Sequence, residues 1–300
     1  MRSLHVDYSE QFVGIAEKPD SYHELADQFE WAKRDVDQDV EGHTYDECNK
    51  YLDSILAHET GKVIVECGCG LGRNLHRYAR RNRCVGVDFS KTGLRKIRLR
   101  ATGVEPVKAD IRQVPLADGC ADYVIFCNVL FIYEDLQVVR EMLVEARRIL
   151  RKGGKVIIIN DFCSTGVWLS PFLQVPRFTK RSESKNAKNK QFMLYYYTQA
   201  DSKNLLNEAG LGNVNSHLCN AHKGVYHITY LSPVWGVLLR GHRRHRVVRH
   251  MDHWERVRKS ESVNGAYPLN IIGRCLASIS RRFFPSLASL SLCCAAEKLE

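Results

Sequence analysis

One carboxylate and three closely spaced glycines are the residues of this chain with the clearest chemical potential. Glu66 is followed by Gly68, Gly70 and Gly72, which alternate with other residues along a predicted tight turn. Glycine has no Cβ, so it can adopt positive φ angles and lets the backbone approach a ligand closely. A helix predicted from Asn74 onward would add free backbone N–H groups at its N-terminus. The pattern predicts a turn that cradles a ligand.

The spacing of these glycines argues against a dinucleotide pyrophosphate as the ligand. The fingerprint of such cofactors is G-x-G-x-x-G. Counted from Gly68, it requires glycine or alanine at the position where this chain has Arg73. The bulky side chain disfavours a pyrophosphate at this turn.

Further polar residues stand at the ends of the next apolar runs. Asp88 follows CVGV, Asp110 ends EPVKAD, and Asn128 follows DYVIFC. A carboxylate at the end of a second strand can accept hydrogen bonds from two ribose hydroxyls, and its charge strengthens those bonds. The carboxyl ends of parallel strands meet at one edge of a sheet, so we expect these residues to lie near the glycine turn.

This arrangement resembles the class I S-adenosylmethionine-dependent methyltransferases. The string E-x-G-x-G-x-G is similar to motif I of that family, and the four strand ends follow in the family's order over about residues 60–162. The resemblance implies S-adenosylmethionine as the cofactor, with Glu66 orienting its amino acid moiety, Asp88 binding its ribose and Asp110 bonding its adenine. The residues implied at the cofactor site are Glu66, Gly68, Gly70, Gly72, Asp88, Phe89, Asp110, Ile111 and Asn128.

The resemblance also directs the search for catalytic residues. The cofactor carries its methyl group on a sulfonium, so an enzyme mainly has to align the acceptor and exclude water. A general base helps only a hydroxyl or a protonated amine. Many relatives that act on small molecules have a histidine after the fourth strand, where this chain has Ile132. Tyr133 and Asp161 are the candidates for orienting the acceptor, although a structural tyrosine and a helix-capping aspartate explain them equally well.

Strand patterns that alternate with helical patterns predict how these residues are positioned. They indicate an α/β fold with a doubly wound, seven-stranded Rossmann-like sheet and a helical insertion before the last strand. The helix LQVVREMLVEARRILRKGG is expected to close at Gly153 and Gly154. The predicted organisation is an N-terminal helical lid segment over residues 1–60, a cofactor-binding core over 61–223, a basic helical insertion over 224–285 that caps the substrate, and a closing strand over 286–300.

Charge is distributed unevenly along the chain. The net charge of the chain is +10. The first 60 residues contain 15 acids and 5 basic residues, so their net charge is −10 and that of the remaining residues is +20. This division fits complementarity within the molecule as well as it fits an anionic partner. Phe29 and Trp31 are candidates for a lid over the cofactor, with plain packing as the favoured alternative.

The basic insertion has three interpretations. Residues 236–260 contain eight Arg or Lys against two acids. We favour a helical cap over the substrate, with a solvated basic face. Peripheral contact with an anionic membrane comes next, because Trp235 and the apolar residues after it precede the arginines. A nucleic-acid contact is the third choice.

Metal sites and a secreted location are both disfavoured. His242 and His245, like His250 and His253, have a spacing that can share a metal ion, but arginines surround them, so no metal site is predicted. The 11 cysteines include no CxxC pair, which argues against a disulfide framework or a zinc ribbon. The N-terminus has no apolar signal region, and no stretch reaches the roughly 18 apolar residues of a membrane span. These features predict a cytoplasmic protein.

The predicted function is methyl transfer to a small-molecule or lipid-like acceptor. The excess of basic over acidic residues suggests an RNA methyltransferase as the alternative. However, Asn128 is followed by Val129 and Leu130, and not by the N/D-P-P-Y/F motif typical of methylation at exocyclic amines. The alternative from another class is a non-catalytic cofactor-binding scaffold with the same fold.

Overall fold

The chain folds around one seven-stranded mixed sheet. The computed structural model describes residues 47–99, 103–130, 133, 135–160, 181–184, 192–194, 198–219, 271–283 and 291–300. The strands of the sheet are β1 (Val63–Cys67), β2 (Arg83–Asp88), β3 (Val104–Lys108), β4 (Ala121–Cys127), β5 (Leu150–Asn160), β8 (Gly212–Cys219) and β9 (Ser291–Glu297). A separate pair contains β6 (Arg181–Ser184) and β7 (Phe192–Leu194).

The order across the sheet is β3-β2-β1-β4-β5-β9-β8. Strands β1 to β5 pair in parallel, whereas β9 is antiparallel to both of its neighbours. The first strand lies inside the sheet, between β2 and β4, so the chain reverses its direction of growth between β3 and β4. In doubly wound sheets the ligand crevice lies at such a reversal, at the carboxyl ends of the strands. The predicted fold class is confirmed.

Six helices accompany the strands in the described residues. Their bounds are α1 (Glu47–Leu56), α2 (Arg73–His76), α3 (Lys91–Leu99), α4 (Leu136–Ile149), α5 (Gln199–Glu208) and α6 (Ile271–Phe283). The helix expected after the glycine turn is therefore only one turn long. α5 begins with the capping box of Thr198 and Asp201, and α6 lies in the insertion predicted before the last strand.

Both faces of the sheet are covered, which is why its central strands are continuous apolar runs. Successive side chains of a strand point to opposite faces. Val65 and Val124 therefore join one buried cluster, which includes residues of α4 and α5. Ile64 and Ile125 join the other cluster, which includes residues of α1 and α3.

Helix α1 is part of this second cluster. Cys48, Leu52 and Leu56 are buried on its inner face together with Ile64. The apolar face that includes Leu52 and Leu56 predicts a helix packed beside the first strand, and the structure confirms this for the end of the N-terminal segment. Phe29 and Trp31, the candidate lid residues, lie outside the described residues, as does most of the basic insertion. The domain boundaries remain predictions.

The predicted end of α4 was wrong. The helix ends at Ile149 and the chain enters β5 directly at Leu150, so Gly153 and Gly154 lie inside a strand. Gly153 has a φ of 71° and donates its N–H to the Lys298 carbonyl at 2.8 Å. A Cβ on Gly154 would lie 2.9 Å from the Arg151 carbonyl oxygen. These glycines permit a bent backbone in a close strand pairing, and they do not cap a helix.

Helix α4 also holds the connection that carries Asp110. The buried Glu145 accepts a hydrogen bond from the Val114 N–H at 2.6 Å. Arg148 donates to the Val114 and Leu116 carbonyls, each at 2.9 Å, and pairs with Glu145 at 2.7 Å. The connection from β3 to β4 is therefore fixed to the body of the domain.

Among the described residues, no helix has the length and apolar character needed to cross a membrane.

Candidate functional site

The glycine turn after β1 lies against the segment that follows β4. Gly68 has a φ of 76°, and its N–H donates to the Val87 carbonyl at 2.7 Å. A Cβ on Gly68 would lie 2.4 Å from Val129 Cγ2, closer than real Cβ contacts allow. Gly70 and Gly72 also have positive φ values, 55° and 70°. Glycine is required at Gly68 both by backbone conformation and by the space that Val129 fills.

Glu66 is a buried acid at the base of this turn. Its residue surface is 1% exposed, and Oε1 accepts a hydrogen bond from Asn74 Nδ2 at 2.6 Å. Oε2 is buried and has no hydrogen-bond partner among the described residues. Burial raises the pKa of Glu66 to about 7, although the bond from Asn74 and the charge of Arg73 act in the opposite direction. A buried acceptor without a partner indicates a place for a hydrogen-bond donor or a cation.

Asp88 connects the end of β2 to the glycine turn. Its Oδ2 accepts the Gly70 N–H at 2.7 Å, and its Oδ1 accepts the Ser90 N–H at 2.8 Å. Ser90 Oγ in turn accepts the Gly93 N–H at 3.0 Å and caps α3. Asp88 is 8% exposed, while the adjacent Phe89 is partly exposed. The carboxylate thus fixes the turn and lies at the strand end where the cofactor site was predicted.

Asp110 has a strong partner within the protein. Arg112 donates to both carboxylate oxygens, with a shortest contact of 2.6 Å from Nη2 to Oδ2. The Arg112 N–H also donates to Oδ1 at 2.8 Å. Ile111 is buried in the hydrophobic cluster that includes residues of α4. The predicted bond from Asp110 to adenine would have to coexist with this ion pair.

Asn128 has an uncommon backbone conformation directly after β4. Its φ is 58°, and its N–H donates to the Ile159 carbonyl at 2.8 Å. Asparagine is among the few residues other than glycine that tolerate this left-handed region. The left-handed turn starts the segment in which Val129 packs against Gly68. Residues in such conformations are concentrated at functional sites.

The two predicted catalytic residues differ in what the structure shows. Tyr133 is 6% exposed and belongs to the same hydrophobic cluster as Ile111. Its N–H is 3.4 Å from the Leu130 carbonyl oxygen. This burial suits a structural tyrosine. Asp161 lies outside the described residues. The catalytic role of both residues remains a prediction.

Sequence reasoning missed three partners at this site. Asn74 was read only as the start of a helix, yet it is the hydrogen-bond partner of Glu66. A buried glutamate requires a partner, so a polar residue at the start of the following helix was a usable signal. Ser90, which the sequence predicts only as the cap of α3, and Arg112 each lie two residues after an acid whose oxygen accepts their backbone N–H. That spacing is typical of Asx turns and could have been recognised.

Comparison with known proteins agrees with this geometry. Residues 65–158 match a family described as a methyltransferase domain. A phosphatidylethanolamine N-methyltransferase of Cereibacter sphaeroides is 32% identical over 108 residues, which are 34% of this chain and 52% of that protein. The chain spans about half the length of the curated relatives that it matches.

Two solved structures share the fold. A putative methyltransferase of Haloferax volcanii, in complex with the Trm112 methyltransferase activator, has a TM-score of 0.55 at 15% identity, covering 92% of this chain and 98% of that one. Phosphoethanolamine N-methyltransferase 2 of Haemonchus contortus, in complex with S-adenosyl-L-methionine, has a TM-score of 0.54 at 12% identity, covering 93% of this chain and 60% of that one. The matched domain and the curated relatives support a class I S-adenosylmethionine-dependent methyltransferase family for residues 65–158, and the two solved structures share its fold.

Proposed function

We propose that this protein is a methyltransferase that transfers a methyl group from S-adenosylmethionine to a small-molecule or lipid-like acceptor. The observation that carries the proposal is Glu66 Oε2, a buried acceptor without a partner among the described residues, at the base of a glycine turn. S-adenosylmethionine has an ammonium group in its amino acid moiety, and a buried carboxylate oxygen is a suitable acceptor for it.

The residues of the carboxyl edge fit this cofactor. Glu66 supplies a negative oxygen, and Gly68 and Gly70 present a backbone without side chains, on which a ligand can lie closely. Asp88 supplies a carboxylate where β2 ends. Glu66, the three glycines and Asp88 would hold the cofactor, which when bound supplies an activated methyl group on a sulfonium.

The chain's own part in the reaction is binding, orientation and exclusion of water. The hydrogen bond from Gly70 to Asp88 and the close approach of Val129 to Gly68 fix the conformation of the turn. Such preorganisation reduces the entropy that binding must overcome. Tyr133 and Asp161 remain our candidates for orienting the acceptor.

A lipid-like acceptor is supported by two relatives and by helix α6. One relative is named a phosphatidylethanolamine N-methyltransferase and one structural neighbour a phosphoethanolamine N-methyltransferase. On α6, Ile271, Ile272, Ile279 and Phe283 are exposed by 51% to 72%, and Arg281 and Arg282 are exposed near its end. Exposed apolar residues next to arginines suit peripheral contact with an anionic membrane surface. The cytoplasm as the compartment is part of the same proposal and rests on cysteine usage.

Calorimetric titration with S-adenosylhomocysteine, with NAD as a control, tests the cofactor assignment. Binding of the first ligand alone is expected. An acceptor screen with labelled S-adenosylmethionine then compares phosphoethanolamine, phosphatidylethanolamine vesicles and RNA. Methyl transfer to either of the first two supports the proposal. Transfer to RNA alone, or cofactor binding without transfer to any acceptor, would favour the RNA methyltransferase or the scaffold.

A further inference from the structure

Three buried cysteines from distant parts of the chain meet where α1 packs against the antiparallel edge of the sheet. Cys48 lies on α1, Cys219 ends β8, and Cys293 lies on β9. Their sulfur atoms all lie within 4.8 Å of one another, and Cys219 Sγ is 3.5 Å from Cys293 Sγ. We refer to these residues as the three-thiol cluster.

The register of β8 and β9 explains this meeting. His217 pairs with Cys293, and Cys219 pairs with Ser291, so Cys219 and Cys293 lie diagonally on one face of the sheet. Helix α1 covers that face and directs Cys48 toward it. Cys294, the next residue of β9, belongs to the cluster on the opposite face. The cluster therefore depends on which face each cysteine occupies.

The separations suit a metal ion better than a covalent bond among all three sulfurs. Thiolates bound to Zn²⁺ lie about 2.3 Å from the metal, so neighbouring sulfurs in a tetrahedral site are about 3.8 Å apart. The observed range includes this spacing. A disulfide could join only two of the three sulfurs and would leave the third as a thiol.

Burial and face separate the cluster from the neighbouring cysteine. Cys48, Cys219 and Cys293 are all buried on one face, whereas Cys294, which is equally buried, lies on the opposite face. A thiolate is the form that binds metals, and metal binding itself drives the release of the thiol protons.

We propose that the three-thiol cluster binds one thiophilic d10 cation of the Zn²⁺ class and thereby joins α1, β8 and β9. The thiols release their protons to solvent when the metal binds, and no oxidation or reduction takes place. A divalent ion offsets most of the charge of three buried thiolates, which a monovalent ion would not. A water molecule can complete the four ligands that such an ion takes.

The test is a titration of the full-length chain with Cd²⁺, which binds thiolates as Zn²⁺ does and gives an ultraviolet charge-transfer band. The protein is first stripped of metal with a chelator and kept under a phosphine reductant. We expect the band to saturate at one Cd²⁺ per chain and to disappear when Zn²⁺ displaces Cd²⁺. The same ions should raise the melting temperature.

Two variants of β9 form a matched pair. Cys293→Ala should abolish the saturating band and the thermal shift, while Cys294→Ala, equally buried on the opposite face, should retain both. If Cys293→Ala fails to fold, Cys48→Ala on α1 serves in its place. Equal binding by the two β9 variants would overturn the proposal. So would the lack of a band in the parent chain, or a disulfide between Cys219 and Cys293 that persists in the reductant.

Discussion

The two halves of the sheet assemble their polar groups in different ways. On the parallel side, the site at the carboxyl edge uses backbone N–H groups and carboxylates that lie next to their strands, such as Gly70 and Asp88. On the antiparallel side, the three-thiol cluster uses side chains from α1, β8 and β9. The first site is shaped by local backbone conformation, and the second by strand register. Substitutions that disturb the backbone of the glycine turn should therefore leave the three-thiol cluster unaffected. Substitutions that disturb the pairing of β8 with β9 should leave the site at the carboxyl edge unaffected.

The largest effect is expected for Gly68→Ala. The added Cβ would face Val129 at 2.4 Å in a backbone conformation that disfavours alanine. We expect a loss of about 2–4 kcal/mol in the free energy of unfolding, measured by urea denaturation, together with a loss of S-adenosylhomocysteine binding. Gly61→Ala is the control, because Gly61 has a similar φ of 66° but no atom within 4 Å of an added Cβ. It should cost only about 1 kcal/mol, and equal costs would contradict the close contact with Val129.

Glu66→Gln should change stability and binding in opposite directions. The pKa of Glu66 is raised to about 7, so the folded chain retains a proton that the unfolded chain releases near pH 4.5. This contribution to stability is complete below about pH 4.5 and is lost as the pH rises through about 7. The parent chain should therefore lose up to about 3 kcal/mol over this interval, and the variant should not.

Urea unfolding without ligand, repeated from pH 4.5 to pH 8, measures this difference. At the alkaline end the variant should be the more stable protein, yet it should bind S-adenosylhomocysteine more weakly because a charged acceptor is missing. Parallel pH profiles for the two proteins would show that Glu66 ionises normally.

Asp88→Ala should weaken S-adenosylhomocysteine binding by about 1–3 kcal/mol, because it removes charged hydrogen bonds and releases Gly70. Calorimetry provides the affinity. The control is Glu105→Ala, which removes an exposed acid that pairs with Arg83 on the neighbouring strand. The control should bind like the parent chain. Unchanged affinity in Asp88→Ala would exclude the ribose assignment.

The smallest effect should be that of Cys293→Ala on the cofactor. Cys293 lies on β9, which β4 and β5 separate from β1 in the sheet. The affinity for S-adenosylhomocysteine should change by less than about twofold, since distant substitutions act independently. A large loss of affinity would show that the two sites are coupled.

The sequence predicts the residues of the site at the carboxyl edge but not those of the three-thiol cluster. Glu66, the three glycines and Asp88 were identified from residues contiguous with their strands, and the structure places them at one edge. The three-thiol cluster could not be identified, because its members are far apart in the chain and meet only through the register of β8 and β9. Searching for CxxC pairs examines local spacing alone.

The wrong end of α4 has a similar cause. Two glycines after a helical pattern are typical of a helix end. In the structure, β5 begins before them and pairs with β9, so a tertiary contact overrides the local signal. For Asp110, the sequence identified the acid but not Arg112, whose ion pair depends on side-chain geometry.

The position of β9 has a consequence for biosynthesis. This strand is the last in chain order, yet it lies between β5 and β8. Until residues 291–297 leave the ribosome, β5 has one unpaired edge and β8 has no neighbour in the sheet. Exposed strand edges invite pairing with other chains. The nascent protein therefore completes this sheet only after residue 297 has been translated, and chaperones that shield strand edges should favour its yield.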